Sequence, residues 1–518
     1  MSAAQGAPAK GIGGFARQSL IYGMGVVFNR LVAFVMLPVY TRYISPADYG
    51  VLQLLGLTMD IVALVAGARL AGGIFYFYHA AETEPERKRL LATSLTTLWV
   101  SYALLGLFVV AAATPLANLV FQDVSRAPLL RLAGIAFIFE APILVGLTAM
   151  QVWERSLVYV GATAARLIIQ VLLNLVVLIG FGWGIAGMMG VTAFANVLVG
   201  ITLASMVVRE TGWALSSAVV RRLVKYGLPL VGTQVATMVA AYGDRYVLQR
   251  VAGESVVGLY SVGYQFGVLV FTLGFGPLNQ VWEPKRFAVA REPHRDAIYA
   301  RAFVLCNLAI LALGTAIVLG VADFLRLATP PAYHAAATVV PLIVGAYVLQ
   351  SWTDFHNLGI MMRERTSWLT VANWLCAAVA LGAYLVLVPR LGAIGAGLGL
   401  LLAYVLRFLV VYVTSQRLWP VHYRWGPVLK QLLLSAAVCA AALLPRNLPL
   451  GAAIAWHVTL FALYIAGLFL LGIVGPEDRE LLKRTWHDVR ARFKRTERTE
   501  KAERTERTER TERTERTV

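Results

Sequence analysis

Arg30, Asp60, Glu140 and Arg166 each stand inside a long apolar run of the chain. A charge in such a place is costly to hold away from water, so it faces either a water-filled space or a partner of opposite sign. At ~1.5 Å of rise per helical residue, all four fall near the middle of their runs, two positive and two negative groups at one depth. One chemistry this permits is a polar lumen for a phosphate-bearing cargo. Arg30 and Arg166 would present paired donors to phosphate oxygens, while Asp60 and Glu140 would tune them or carry a coupling proton or sodium ion. The other reading is structural, with ion pairs such as Arg30–Asp60 locking helices together. Asp244 and Arg245 lie near one end of a further run and form either a local pair or part of a mouth. Arg69, Arg301 and Arg407 lie nearer the opposite side, where long side chains reach the headgroups. No catalytic residue and no metal site is expected. The chain has no GxxxxGK[ST], no HExxH and no CxxC, and the loops are too short to hold a catalytic domain.

The elements that must position these charges are transmembrane helices. Hydrophobic residues make up 58% of the 518 and charged residues 14%, with a mean hydropathy of +0.68. A soluble domain carries roughly a quarter charged residues, so the solvent for this chain is lipid. The expected fold class is an all-α polytopic membrane protein. Runs near the required length of about 20 residues recur from 18–40 to 451–474, and there are fourteen of them. With the N-terminus cytoplasmic, the inner loops hold nineteen Lys and Arg, and the tail holds a further fourteen. The outer loops hold seven. That alternation satisfies the positive-inside rule and predicts that both termini are cytoplasmic. The net charge of +18 therefore reads as topology and headgroup attraction, not as a nucleic-acid surface. Trp153, Trp183, Trp282, Trp352, Trp368, Trp419 and Trp425 sit near span ends, at the headgroup level. Cys306, Cys376 and Cys439 lie in apolar runs, as small buried hydrophobes. The polar start, residues 1–17, reads as a cytoplasmic segment rather than a cleaved signal.

The chain repeats itself at an offset of 208 residues. Gly50 falls on Gly258, Arg155 on Arg363, and Gly184 and Gly187 on Gly392 and Gly395. Two six-helix bundles follow, 18–208 and 226–416, joined by a cytoplasmic linker 209–225. An even number of spans per copy sets both copies the same way up, so their pseudo-two-fold axis lies along the membrane normal, with a site between them near the midplane. Helices 13 and 14, within 428–474, fall outside the repeat. Residues 475–518 form a basic tail whose Glu-Arg-Thr repeat has no apolar face to pack.

The stretch Leu37–Leu55 (LPVYTRYISPADYGVLQLL), with Tyr226–Leu230 (YGLPL) and Gly243–Gly267 (GDRYVLQRVAGESVVGLYSVGYQFG), resembles the Wzx-type polysaccharide-export flippases. These belong to the multidrug/oligosaccharidyl-lipid/polysaccharide exporter superfamily, and the resemblance spans residues 12–475. It implies two bundles that alternate between inward-open and outward-open around a cationic lumen. It also implies an undecaprenyl-diphosphate-linked oligosaccharide as cargo, a bacterial inner membrane, and the polysaccharide polymerase machinery and membrane lipids as partners. Arg30 fits such a lumen. Arg42 matches the positive residue of the family's Pro-x-x-x-Arg pattern, and Arg245 its Asp-Arg-Tyr-like pattern, which adds both to the diphosphate-binding set. Helices 13 and 14 fit the fourteen-span members, where they border a groove for the lipid tail. Two rivals share the fold: an ion-coupled antiporter for cationic drugs, which would want a net acidic lumen, and a flippase for the lipid-linked peptidoglycan precursor.

Overall fold

Ser45 starts the first fully described span. Its hydroxyl accepts the Asp48 amide at 3.1 Å, Pro46 occupies the first helical position and Asp48 the first turn. All three favour a helix N-terminus. The computed structural model describes residues 32, 34–67, 69–444 and 448–474. Arg30, the segment 1–17 and the tail 475–518 lie outside the described residues.

Helix α1 occupies 34–43. It is followed by α2 (Pro46–Ala66), α3 (Leu70–Ala80), α4 (Glu84–Ala111), α5 (Ala113–Phe121), α6 (Ala127–Ile138), α7 (Glu140–Val152), α8 (Ser156–Leu175) and α9 (Gly184–Thr211). The second half holds α10 (Ser217–Leu269), α11 (Gly276–Val289), α12 (Arg295–Ala328), α13 (Val340–His356), α14 (Leu358–Met362) and α15 (Ser367–Leu418). Then come α16 (Trp425–Ala441) and α17 (Leu450–Leu470). Among the described residues ten helical stretches are long and apolar enough to cross a membrane, and α16 is a shorter apolar helix. Two of the ten each contain two spans, because α10 is broken at Gly253 (φ 80°) and α15 at Gly392 (φ 55°). With α16, the described residues hold thirteen of the fourteen expected crossings, and most of the first, 18–40, lies outside them.

Several spans are interrupted in mid-course, where each freed backbone group must find a partner inside the protein. The α2–α3 span turns at Gly67 (φ 100°), and the Ala66 carbonyl accepts the Ser101 hydroxyl of α4 at 2.8 Å. The α6–α7 span breaks at Phe139, and the Ala136 carbonyl accepts the Asn196 amide of α9 at 3.1 Å. One turn of π-helix follows α8 at Val176–Gly180, and another joins α10 to α11 at Val270–Phe275. Gly67 lies 208 residues before Phe275, so the second span of each half is deformed at the same repeat position.

The repeat is real in space, with one adjustment. Gly184 and Gly392 share the same left-handed φ of 55°, so the sixth span of each half opens on the same backbone turn. The short loops pair differently from the sequence offset. Glu154 (φ 57°) and Glu364 (φ 55°) are equivalent. The amides of Arg155 and Arg365 close matching turns onto Met150 and Ile360, so Arg155 corresponds to Arg365 and not to Arg363. A two-residue shift has entered between the fourth spans. The two copies meet at Gly50 and Gly258. A methyl group on Gly50 would lie 2.0 Å from the Glu254 carbonyl oxygen, and one on Gly258 would lie 1.9 Å from that of Pro46. Residue 254 is 46 displaced by the repeat, so each half makes the same contact with the other about one axis.

Gly50→Ala and Gly258→Ala force a methyl group into backbone at that crossing. Each is expected to lose about 1–3 kcal/mol of stability, read as a lowered midpoint in thermal unfolding of the detergent-solubilised protein. The double variant should lose less than the sum, since both act on one contact. Melting indistinguishable from wild type would show that the crossing tolerates separation.

Candidate functional site

The two ends of the bundle differ. The distal end holds the loops before α2, after α5, at Gly253 and after α12. The opposite, basic end gathers the Lys- and Arg-rich loops. Across the distal end the halves are sealed. Phe34 of α1 stacks on Phe324, with centroids 5.1 Å apart, and meets Phe266 edge-on at 5.5 Å. The Tyr333 hydroxyl donates to the Ile44 carbonyl at 2.9 Å, Gln265 to the Tyr49 hydroxyl at 2.6 Å and Gln249 to the Phe121 carbonyl at 2.9 Å. Arg126, in the loop after α5, lies 2.7 Å from Glu254 of the other half, 3.7 Å from Asp48 and 3.6 Å from Asp123. The Ser125 hydroxyl and amide bond Asp123 and hold its carboxyl below the usual range. Partial burial opposes the charge on Arg126, but Glu254, Asp48 and Asp123 outweigh it and raise its pKa.

Below this seal Glu140 stands within electrostatic range of both Arg166 and Asp60, with no ion pair joining the three among the described residues. Tyr102 of α4 feels both carboxylates. Asp60 is exposed on α2 and also acts on Tyr246 of α10, whose hydroxyl shares a hydrogen bond with Thr58 at 3.1 Å. The cluster therefore reaches the interface between halves. The break at Phe139 explains Glu140: it places the carboxylate in the first turn of α7, where the helix dipole favours negative charge. Arg166 forms no ion pair among the described residues, and its Nε is buried without a partner. Arg30, the fourth member of the expected set, lies outside the described residues. Tyr102 and Tyr246 were not anticipated, because a lone tyrosine in an apolar run gives no signal by itself.

Arg245 does not join this group. It is 3% exposed, in the interior of the second half beside Asp244 at 0%. Its guanidinium lies 3.0 Å from the Asp244 carboxylate and donates to the Ala241 carbonyl at 3.0 Å. Its centre sits 4.1 Å from the Tyr264 ring, 5.2 Å from Tyr260 and 5.4 Å from Tyr242, within cation–π range of all three. Of the two readings left open for this pair, the local pair is the one present. Arg42 is exposed at the distal end of α1. Arg69 and Arg407, expected to snorkel, instead donate to side chains, Arg69 to Gln234 across the two halves and Arg407 to Gln350. Gln350 in turn donates to Asp354 at 3.0 Å. In the second half Arg245 is thus paired with Asp244, and Gln350 bridges Arg407 and Asp354.

Two apolar cavities flank the halves. One of about 200 Å³ lies between α2 and α10, lined by Leu57, Ile61, Met238 and Tyr242. Another of about 340 Å³ opens between α12, α13, α15 and α16, lined by Val318, Val344, Trp352, Leu401 and Leu432. No cluster of three or more His, Cys, Asp or Glu that could hold a metal occurs among the described residues.

Arg245→Ala leaves a buried carboxylate without its cation and is expected to cost about 3–5 kcal/mol. Asp244→Ala/Arg245→Ala, which removes both charges, should cost less than that single variant in thermal unfolding. A double variant less stable than Arg245→Ala would count against the pair as a self-neutralised unit.

Residues 15–285 match the family described as polysaccharide biosynthesis protein. No curated protein sequence matches the chain. Among solved structures, the lipid II flippase MurJ in an inward closed conformation is similar with a TM-score of 0.70 at 10% identity, over 88% of this chain and 100% of that one. An inward-facing multidrug resistance MATE family transporter of the MOP superfamily is similar with a TM-score of 0.58 at 15% identity, over 76% and 98%. A MATE in complex with MaD3S follows at 0.54 and 15%, over 78% and 95%. At these identities the likeness establishes the fold, while the match over residues 15–285 covers more than half of the sequence. The chain belongs to the polysaccharide biosynthesis protein family, on the multi-pass membrane fold of the multidrug/oligosaccharidyl-lipid/polysaccharide exporters.

Proposed function

We propose that this protein is a flippase that carries undecaprenyl-diphosphate-linked oligosaccharide repeat units across the bacterial inner membrane for cell-surface polysaccharide biosynthesis. The observation that carries the proposal is Arg166: a guanidinium within an apolar span, without an ion pair among the described residues, near Glu140 and Asp60 at the interface between halves. A diphosphate presents the paired oxygens that such a fork recognises. The family places the protein in polysaccharide biosynthesis, and a lipid flippase shares its fold. The basic end faces the cytoplasm by the positive-inside rule, which puts both termini there. The sealed distal end fits a state of an alternating-access cycle that is closed on that side. The apolar groove beside α16 suits a polyprenyl tail, which stays in lipid while the head group crosses. The protein acts as a transporter and not an enzyme, its partners being the lipid-linked cargo, membrane lipids and the polysaccharide polymerase machinery. Asp60 and Glu140 are the groups through which a proton or sodium ion would couple.

The fold likeness to a lipid II flippase favours a second cargo, the lipid-linked peptidoglycan precursor. Translocation of fluorescent undecaprenyl-diphosphate oligosaccharide in liposomes, run beside fluorescent lipid II, separates the two. Wild type should move the oligosaccharide cargo, and Arg166→Ala should slow it about tenfold or more, the worth of a charge-assisted hydrogen bond. Preference for lipid II would move the assignment to the second cargo. Failure on both lipids across proton and sodium gradients, with transport of cationic drugs instead, would make it an antiporter.

A further inference from the structure

Helix α8 has two opposite stripes. Leu157, Ala165, Ile168 and Leu172 are exposed and apolar, at spacings that keep them on one face. Thr163, Arg166, Gln170 and Asn174 follow one another at three, four and four residues, a single helical face. Gln170 lies two positions from both Ile168 and Leu172, about 200° around the axis at 3.6 residues per turn. One stripe faces lipid, so the other faces the interior. Asn174 confirms the direction, since its amide donates to the Tyr40 hydroxyl of α1 at 3.3 Å, as does Arg166, which acts on Glu140 of α7.

An inward face of an ordinary bundle helix is buried. On this one Asn174 is the one buried residue of α8, and of the ten membrane-crossing stretches among the described residues this span is the least buried, at 17% of its most apolar part. Thr163, Arg166 and Gln170 are all part-exposed. Gln170 makes no hydrogen bond among the described residues, and the Asn174 carbonyl oxygen and Arg166 Nε are buried without partners. A polar stripe within an apolar span, turned away from lipid, with these three groups lacking a hydrogen-bond partner among the described residues, lines space that holds water or a polar ligand.

Resting on the flippase reading, we infer that the α8 stripe binds the glycan portion of the cargo, with Gln170 and Asn174 hydrogen-bonding sugar hydroxyls on the distal side of Arg166. Amide side chains offer both donor and acceptor, as a hydroxyl requires. At ~1.5 Å per residue the two amides stand about 6 and 12 Å beyond Arg166, the scale of the first sugars attached to a diphosphate held there. The stripe ends at Tyr40, where the distal seal begins.

The test compares two fluorescent cargos in liposomes, undecaprenyl diphosphate bearing one sugar and the same lipid bearing a trisaccharide. Gln170→Ala and Asn174→Ala should each slow the trisaccharide cargo about two- to tenfold, the range for one lost hydrogen bond. Their combination should slow it further, while the one-sugar cargo changes less than about twofold. Equal losses on both cargos, or none on either, would overturn the assignment. Because Asn174→Ala also removes the contact with Tyr40, a second measurement stands apart from transport. In a background with Cys306, Cys376 and Cys439 replaced by Ala, a membrane-impermeant maleimide applied from the basic end should label Gln170→Cys and spare Ile168→Cys. Shielding of both thiols, with wild type transporting normally, would remove this inference and leave the flippase reading intact. Labelling at 170 with no transport of either lipid by wild type would remove the flippase reading and the glycan assignment together.

Discussion

The crossing of Gly50 and Gly258 is the contact on which the arrangement of the two halves depends. At this point the carbonyls of Pro46 and Glu254 stand about where a side chain would begin. Only hydrogen on the Cα lets the second span of one half pass the second span of the other so closely. In lipid such packing is worth more than it would be in water, because helix association has no hydrophobic driving force and rests on van der Waals contact and polar groups. Much of the distal seal is arranged around this crossing. The Arg126–Glu254 pair, Gln265 on Tyr49 and Tyr333 on Ile44 all span the two halves near it.

From that shared framework the halves diverge. The first half breaks its spans at Gly67 and Phe139 and sets Glu140 within electrostatic range of both Asp60 and Arg166. Each break is tolerable because a neighbouring helix supplies the missing partner, Ser101 for the Ala66 carbonyl and Asn196 for that of Ala136. Gly200 belongs to the same arrangement, since a methyl group on it would lie 2.8 Å from the Phe139 carbonyl oxygen, so α9 can lie against the broken turn. The second half keeps comparable charges but closes each on itself: Arg245 on Asp244 within a ring of tyrosines, Arg407 on Gln350, which also holds Asp354. Arg166 has no ion pair among the described residues, whereas Arg245 has one with its own neighbour Asp244.

The sequence carried the number of spans, the repeat and the fold class, because twenty-residue apolar runs and their charged flanks follow from bilayer thickness alone. It also singled out Asp60, Glu140 and Arg166 as charges within apolar runs, and Glu140 does stand within electrostatic range of the other two. It did not carry the breaks at Gly67 and Phe139. Apolar residues continue through both, and composition is blind to a change of helix axis. The displacement of Arg155 onto Arg365 was equally invisible, because an ungapped offset cannot register a two-residue insertion whose flanks look alike. Arg245 was matched through a local pattern and so grouped with the lumen, whereas its surroundings come from Tyr260 and Tyr264, which only the fold brings near. The α8 stripe was legible in principle: Thr163, Arg166, Gln170 and Asn174 keep helical spacing, and what was missing was the knowledge that their face is left open.

The glycine crossing also bears on ancestry. A contact in which residue 50 meets residue 254 and residue 258 meets residue 46 is self-complementary. A single six-helix chain with one such glycine would carry both sides of the joint and could pair with a second copy of itself, head beside head, as a parallel homodimer. Duplication and fusion of its gene would then preserve the joint without inventing one. It would also free the copies to drift apart, one retaining an open polar interior and the other filling its own.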